Sequence, residues 1–239
     1  LFSGCVQDFV YPEQMVAAVE LFAKHNVEMY FPMDQSCCGL PLQMMGEMEA
    51  TADVARQNIA AFMDEEVDDI VTPCASCVSH MKHNYPKLLE DSSLSKKSIT
   101  EYSSKIIDLS SFVSDVLKVQ PGDFEEDGKK TTFHSPCHLC RGLGVEEAPK
   151  NLMEAAGLDY IAADEEQSCC GFGGTYSAKF PELSEQILNS KLDDIERTGA
   201  ELLLTDCPGC VMQLRGGLKK RGSSIEVQHT IEALNKRKK

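Results

Sequence analysis

Ten of the eleven cysteines in this 239-residue chain form one five-membered pattern written twice. The first copy is Cys5, the pair Cys37-Cys38, then Cys74 and Cys77. The second is Cys137, the pair Cys169-Cys170, then Cys207 and Cys210. In both copies 31 residues separate the lone cysteine from the pair, and 35 or 36 separate the pair from the CxxC. An internal duplication accounts for this register, with the thiols held in step. Five converging thiolates per copy point to soft-metal chemistry, foremost an iron–sulfur cluster.

Neighbouring side chains on an extended segment point in opposite directions. Cys37 and Cys38, or Cys169 and Cys170, reach one site only if the backbone turns sharply, which Gly39 and Gly171 permit. A polynuclear cluster uses both thiols of such a pair more readily than a single tetrahedral ion. Each CxxC is expected to open a helix, whose N-terminal dipole and free N–H groups stabilise thiolates. Structural zinc is the competing occupant, but it takes four ligands where each copy offers five. A thiol–disulfide protein using the vicinal cysteines as a redox pair is a further alternative. The ferredoxin run C-x2-C-x2-C-x3-C-P is absent.

The second copy carries extra chemistry. His134 and His138 flank Cys137, whereas Ser3 and Val6 stand nearest Cys5. Cys140 makes a second CxxC with Cys137, where the first copy has Asp8. His134, His138 and Cys140 are therefore the candidate catalytic residues: the histidines as proton donors, Cys140 as a substitute ligand or redox partner. The plainer readings are packed or hydrogen-bonded histidines and a spare small thiol. Arg141 offsets cluster charge or merely sits on the surface. Gly171 to Gly174 lacks the G-x-G-x-x-G order of a dinucleotide fingerprint and is expected to give the backbone room beside the cluster.

These residues need elements to position them, and the halves read alike. In the first, Phe2-Ser3-Gly4 reads as a strand end delivering Cys5, followed by a helix over Glu13 to His25. A strand over Val27 to Met33, a helix over Glu49 to Glu65 and the short strand Asp69 to Thr72 come next. A helix from Val78 towards Leu89, a strand near Lys105 to Ile107 and a helix over Ser110 to Leu117 complete that half. In the second half, strands are expected at Thr131 to His134, Leu158 to Ala162, Glu201 to Thr205 and Ile225 to Val227. Helices are expected over Pro149 to Ala156 and Pro181 to Arg197, the latter closed by Gly199. The fold class is thus α/β: two tandem duplicated α/β domains, each a short, mostly parallel sheet flanked by helices. The boundaries are 1–118 and 131–239, with the polar, turn-rich 119–130 as linker. Every repeated cysteine then falls just past the carboxyl end of a strand, the edge where open α/β sheets bind ligands.

Composition excludes several classes. The net charge of −15 opposes a nucleic-acid partner, whose phosphates need a basic surface. Lys219-Lys220-Arg221 and Lys236 to Lys239 read as a solvated helix end and a frayed tail, with a docking strip for an acidic partner as the alternative. No apolar run approaches the length of a transmembrane segment. Many cysteines without an export signal predict a reducing cytoplasmic location and metal binding. The chain opens at Leu1 inside what reads as a strand, as a piece of a longer or fused polypeptide would. No flavin, nicotinamide or nucleotide motif is present.

C-x31-CCG-x35/36-C-x2-C resembles the cysteine-rich CCG domain of heterodisulfide reductase, of the glycolate oxidase iron–sulfur subunit and of the lactate-utilisation protein A family. The resemblance covers nearly the whole chain as two tandem domains. It implies two [4Fe–4S] clusters, of the non-cubane form known in the family. Cys5, Cys37, Cys38, Cys74 and Cys77 would hold one; Cys137, Cys169, Cys170, Cys207 and Cys210 would hold the other. The stretch Cys169 to Ser177, then Leu183-Ser184-Glu185-Gln186, Glu196 to Ala200 and His134 to His138, looks most like lactate-utilisation protein A. That likeness implies an oxidoreductase subunit working with a ferredoxin-like iron–sulfur subunit and a further subunit to oxidise L-lactate to pyruvate. Complete cysteine sets, including Cys77 and Cys210, and the added Cys140 lean towards the heterodisulfide reductase type, whose clusters face a disulfide.

Overall fold

The computed structural model describes residues 1–63 and 66–239. Among these residues, six strands form two parallel sheets. β1 (Ile70–Thr72) pairs with β2 (Ile106–Asp108) in the first half. In the second, β3 (Lys130–Phe133), β4 (Asp159–Tyr160), β5 (Leu202–Thr205) and β6 (Glu226–His229) lie in the order β4-β3-β5-β6. All ladders are parallel, as the α/β class requires, and helices flank the strands. The unbroken apolar run Leu202-Leu203-Leu204 is fully covered, the pattern of a parallel strand buried on both faces.

The long helices sit where their periodicity puts them: Pro12–Lys24, Met48–Met63 and Pro181–Arg197. Proline at the first turn begins the outer two, where its missing N–H has no partner to lose. Asp64 and Glu65, the expected end of the second, lie outside the described residues.

Several expectations are corrected. Val27 to Met33 forms no ladder and enters a turn at Met33; the Leu1 ammonium donates to the Tyr30 carbonyl at 2.6 Å. Phe2 to Gly4 forms no strand either, and is joined to β1 through Phe2 N–H donating to Val71 O at 2.9 Å. The helix expected from Val78 begins at Ala75, because Cys74 takes the extended N-cap position and the CxxC itself forms the first turn. It stops at His83 and a short turn Tyr85–Leu88 follows, since Pro86 cannot donate a backbone hydrogen bond to continue it. A helix at Lys96–Lys105 adds to the expected set, its apolar face being only Ile99 and Tyr102; Ser95 caps it by accepting from Ser98 N–H at 3.0 Å.

The two halves share one core. Leu21, Phe22, Val71 and Phe112 pack in the same cluster as Phe133, Leu202, Ile231 and Leu234. The basic tail does not fray: Thr230–Arg237 is a helix against Pro12–Lys24, and Arg237 and Lys238 pair with Asp127 and Glu20. Arg221 likewise binds Asp193 at 2.7 Å and Glu196 at 2.9 Å. The polar segment 119–130 is anchored by Phe124, fully buried in that core, while Glu125 N–H donates to Arg237 O at 2.6 Å. Phe124→Ala should lower stability by about 3–5 kcal/mol in urea unfolding. A change below about 1 kcal/mol would mean that the segment is a passive connector.

Candidate metal centre

Strand ends deliver most of the thiols; Cys5 and the Cys37-Cys38 pair instead follow segments that form no strand, against the expectation that every repeated cysteine would follow one. Cys74 and Cys207 follow β1 and β5 directly, each as the N-cap of the next helix, Ala75–His83 and Pro208–Arg221. Cys137 follows β3, and Cys169-Cys170 close the loop after β4. In the second sheet the chain order reverses between β3 and β5, so Cys137 and Cys207 stand on the two sides of that crevice.

The ten repeated thiols lie as successive neighbours in one series, in direct contact at Cys5–Cys37 and Cys170–Cys210. From one end it runs Cys5, Cys37, Cys38, Cys77 and Cys74, with Cys5 and Cys37 Sγ 3.6 Å apart. Cys74 then meets Cys207, and the order is repeated in mirror: Cys210, Cys170, Cys169, Cys137, with Cys170 and Cys210 Sγ 3.4 Å apart. The duplication is therefore expressed in space as a pseudo-twofold arrangement whose centre is the Cys74–Cys207 pair.

Acidity follows the same symmetry at the lone cysteines and the vicinal pairs but not at the centre, where hydrogen bonding pushes Cys207 down and Cys74 up. Hydrogen bonds from Cys38 and Cys5 push the Cys37 thiol down to about 3. Those from Cys137 and Cys170 push Cys169 down to about 2. The donors move the other way: Cys38 and Cys170 rise to about 12, and Cys5 and Cys137 are raised as well. Thiols crowded this closely cannot all ionise together without cations between them, which a soft metal supplies.

Glycines make the vicinal pairs work. Gly39 and Gly171 both adopt φ +86°, turning the chain so that their N–H groups face back onto Cys37 Sγ at 3.5 Å and Cys169 Sγ at 3.3 Å. Each loop is held from behind by one buried polar residue on the long helix. Asn58 accepts from Ser36 N–H at 2.8 Å and donates to Cys37 O at 3.0 Å. At the corresponding place, Lys191 donates to the carbonyls of Glu165 at 2.6 Å and Glu166 at 3.0 Å.

Residues of each half also complete the other's site. Ser76, inside the first CxxC, reaches Cys207 Sγ at 3.6 Å and His138 Nδ1 at 3.0 Å. Ala75 N–H donates to Asp206 O at 3.1 Å. The reciprocal bond is impossible because Pro208 has no N–H. The Pro73 carbonyl instead accepts from Gln7 Nε2 at 2.5 Å and from the His229 ring at 2.7 Å.

Of the three candidate catalytic residues, the structure brings His134 to the sulfurs and sets His138 one hydroxyl away, through Ser76. His134 is fully buried; a ring nitrogen lies within 4.8 Å of Cys170 and Cys210 Sγ, and neither nitrogen has a hydrogen-bond partner. Burial, assisted by Lys191, pushes its imidazole down to about 3, so it is neutral. His138 is exposed and bonded to Ser76. Cys140 is buried, and among the described residues its sulfur joins no other thiol. Phe2, not Ser3, is the counterpart of His134: Phe2 N–H donates to Val71 O and His134 N–H to Leu204 O, both at 2.9 Å. Arg141 is exposed, with Nη2 3.7 Å from Cys137 Sγ and 2.7 Å from the Gln167 carbonyl. Sequence reasoning missed Ser76, Asn58, Lys191 and His80. His80 stands three residues beyond Cys77 on the same helix and contacts Asn84 through Nδ1 at 3.0 Å. That spacing is the signal that would have found it.

The model for the CCG cysteine-rich domain matches residues 1–82 and again 131–215. The chain belongs to the CCG family. Curated relatives of this CCG chain include lactate utilization protein A of Shouchella clausii, 39% identical over 98% of the chain and 97% of the relative. Lactate utilization protein A of an Exiguobacterium strain is 36% identical over 98% and 96%, and lactate utilization protein A 1 of Bacillus mycoides is 37% identical over 100% and 97%. The duplicated CCG thiol sets fit iron–sulfur ligation: all donors are sulfur, each set has one more than a tetrahedral ion uses, and both sit at helix N-termini. Among the described residues, no helix is long and apolar enough to cross a membrane.

Proposed function

We propose that this chain is the cluster-bearing electron-transfer subunit of an oxidoreductase complex that converts L-lactate to pyruvate. The observation carrying this reading is the mirror-symmetric series of ten neighbouring thiols, in a protein similar almost end to end to lactate utilization A proteins. Residues 1–118 and 131–239 are its two CCG domains, each holding one [4Fe–4S] cluster, of non-cubane form, through the five cysteines of its set. Such clusters supply one-electron transfer when bound.

The protein's own residues do the rest. Gly39 and Gly171 N–H groups hold Cys37 and Cys169 in their thiolate form. Asn58 and Lys191 fix the loops that aim them. Cys74 and Cys207, both buried, are neighbours where the two sets meet, and would hold the two clusters side by side away from solvent. Lactate oxidation releases two electrons and two protons, and a ferredoxin-like iron–sulfur subunit with a further subunit of the same complex supplies the remaining carriers. Eleven free cysteines and a net charge of −15 support a reducing, cytoplasmic setting without nucleic acid.

A second reading, reduction of a disulfide as in heterodisulfide reductases, is favoured by one observation. Exposed His138 connects through Ser76 to Cys207 Sγ, a proton route to a sulfur at the junction of the sets. Anaerobic purification with iron, sulfide and zinc counts tests the cluster assignment: about eight iron atoms per chain are expected. Zinc without acid-labile sulfide would leave a non-redox scaffold as the answer. Lactate-dependent reduction of the clusters in the reconstituted complex, set against disulfide turnover by this chain alone, separates the two redox readings.

A further inference from the structure

The two thiol sets are related by a nearly constant offset, so each residue around one has an identifiable counterpart around the other. At three of these places the second set is given a donor or cation that the first lacks. Arg141, its guanidinium 3.7 Å from Cys137 Sγ, stands where the first half has Phe9, a side chain 82% exposed and without a polar atom. His134, buried against Cys170 and Cys210 with both ring nitrogens otherwise unpartnered, stands where the first half has Phe2, which packs on Phe62. Ser76 places its hydroxyl 3.6 Å from Cys207 Sγ, while its counterpart Gly209 offers nothing to Cys74. Gly209 cannot acquire a side chain, because a Cβ there would lie 2.8 Å from the Phe172 ring.

From this asymmetry we infer that the two clusters are electronically distinct, the one held by Cys137, Cys169, Cys170, Cys207 and Cys210 having the higher reduction potential. This rests on the cluster reading above. Reduction adds negative charge to a cluster, and hydrogen-bond donors at its sulfurs or a nearby cation stabilise that added charge. The backbone donors Gly39 and Gly171 cancel between the halves, leaving Arg141, His134 and Ser76 as the difference.

The other charged or titratable groups leave the direction unchanged. Lys191 has Asp194 beside it at 3.7 Å, so that pair nearly neutralises itself. Asp206 precedes Cys207, but its buried carboxyl accepts from Ser110 at 2.6 Å, which offsets part of its charge. On the first side the comparable imidazole, His80, is already bonded through Nδ1 to Asn84 at 3.0 Å, whereas both His134 nitrogens are free to face the sulfurs. An electron therefore comes to rest on the second half, and the order of transfer is first set to second set. Arg141, His134 and Ser76 act as positioning and tuning residues, with no part in bond making.

The test is a redox titration of the full-length, cluster-loaded chain followed by electron paramagnetic resonance. Two couples separated by about tenfold or more in their reduction equilibrium are expected, about 59 mV for a one-electron step. The higher one should survive in the double variant Cys37→Ser/Cys38→Ser and vanish in Cys169→Ser/Cys170→Ser. Arg141→Gln, at an exposed position, should lower only the higher couple by about threefold or more, and Arg141→Lys should recover most of that shift. His134→Phe, which installs the first-half residue, should narrow the gap further at unchanged iron content. Coincident couples, a higher couple assigned to the first set, or an Arg141→Gln shift felt equally by both would overturn the inference while leaving the clusters in place. A chain without iron and sulfide overturns the cluster reading and this inference with it.

Discussion

Gly171→Ala is expected to empty the second thiol set while the first stays loaded, leaving about half the parent's iron. The reason is steric and local. Gly171 sits at φ +86°, where a Cβ costs about 1–2 kcal/mol on backbone grounds alone. That Cβ would also lie 2.5 Å from the Ser184 carbonyl and 3.2 Å from the Leu188 nitrogen, both backbone atoms of the Pro181–Arg197 helix. Helix backbone cannot retreat as a side chain does. The loop must therefore rotate, and Cys169 and Cys170 leave the site. Gly39 is the built-in control: its φ is the same, but the nearest atoms are the Val54 and Thr51 side chains at 3.3 and 3.4 Å, which can shift. Gly39→Ala should keep most of its iron. Iron and sulfide counts on both variants, with circular dichroism to confirm that each remains folded, check the pair. Equal losses would sink the argument.

In the reduced, metal-free protein, Cys37 and Cys169 should be alkylated first at pH 5, ahead of the vicinal Cys38 and Cys170 by about a thousandfold. With the Cys37 thiol held near 3 and Cys169 near 2, both are fully ionised at that pH. Cys38 and Cys170, pushed up to about 12, carry roughly one thiolate in ten million. The lower intrinsic nucleophilicity of an acidic thiolate returns about four of those seven powers of ten. Exposure works in the same direction, since Cys37 and Cys169 are half-buried and their neighbours buried. Mass spectrometry after a brief iodoacetamide pulse reads the order directly. Loading with metal should abolish the preference, because ligation occupies the same lone pairs. Uniform labelling of all ten thiols in the metal-free protein would show that the hydrogen-bonded ladder does not exist.

Much of the site is legible in the sequence. Cysteine spacing is a covalent property, and the CxxC motifs follow buried strands whose apolar runs, Ile70-Val71 and Leu202-Leu203-Leu204, are readable at sight. The glycine after each vicinal pair announces the turn that its positive φ now explains. Strand existence is harder. Val27 to Met33 has the composition of a strand but pairs with no other strand among the described residues, and the pattern of one segment does not reveal whether a partner will stand beside it. The tail Lys236 to Lys239 reads as solvated from its charges, while two of the acids that pair with it, Glu20 and Asp127, lie far away in sequence.

The repeated pattern by itself determined the number of thiol sets, their membership, the surplus that separates a cluster from a zinc ion, and the special place of His134 and His138. These are statements about identity and spacing, which the chain carries in one dimension. Only the tertiary structure decided that the two sets meet at Cys74 and Cys207 to make one mirror-symmetric series of sulfurs. It alone showed that Ser76 of one half serves the other, that Arg141 and His134 lie against sulfurs of the second set, and that Cys140 stands apart. Those facts depend on how two similar halves dock. Docking is set by the shared core of Phe22, Phe112, Phe124 and Leu234, whose members come from opposite ends of the chain.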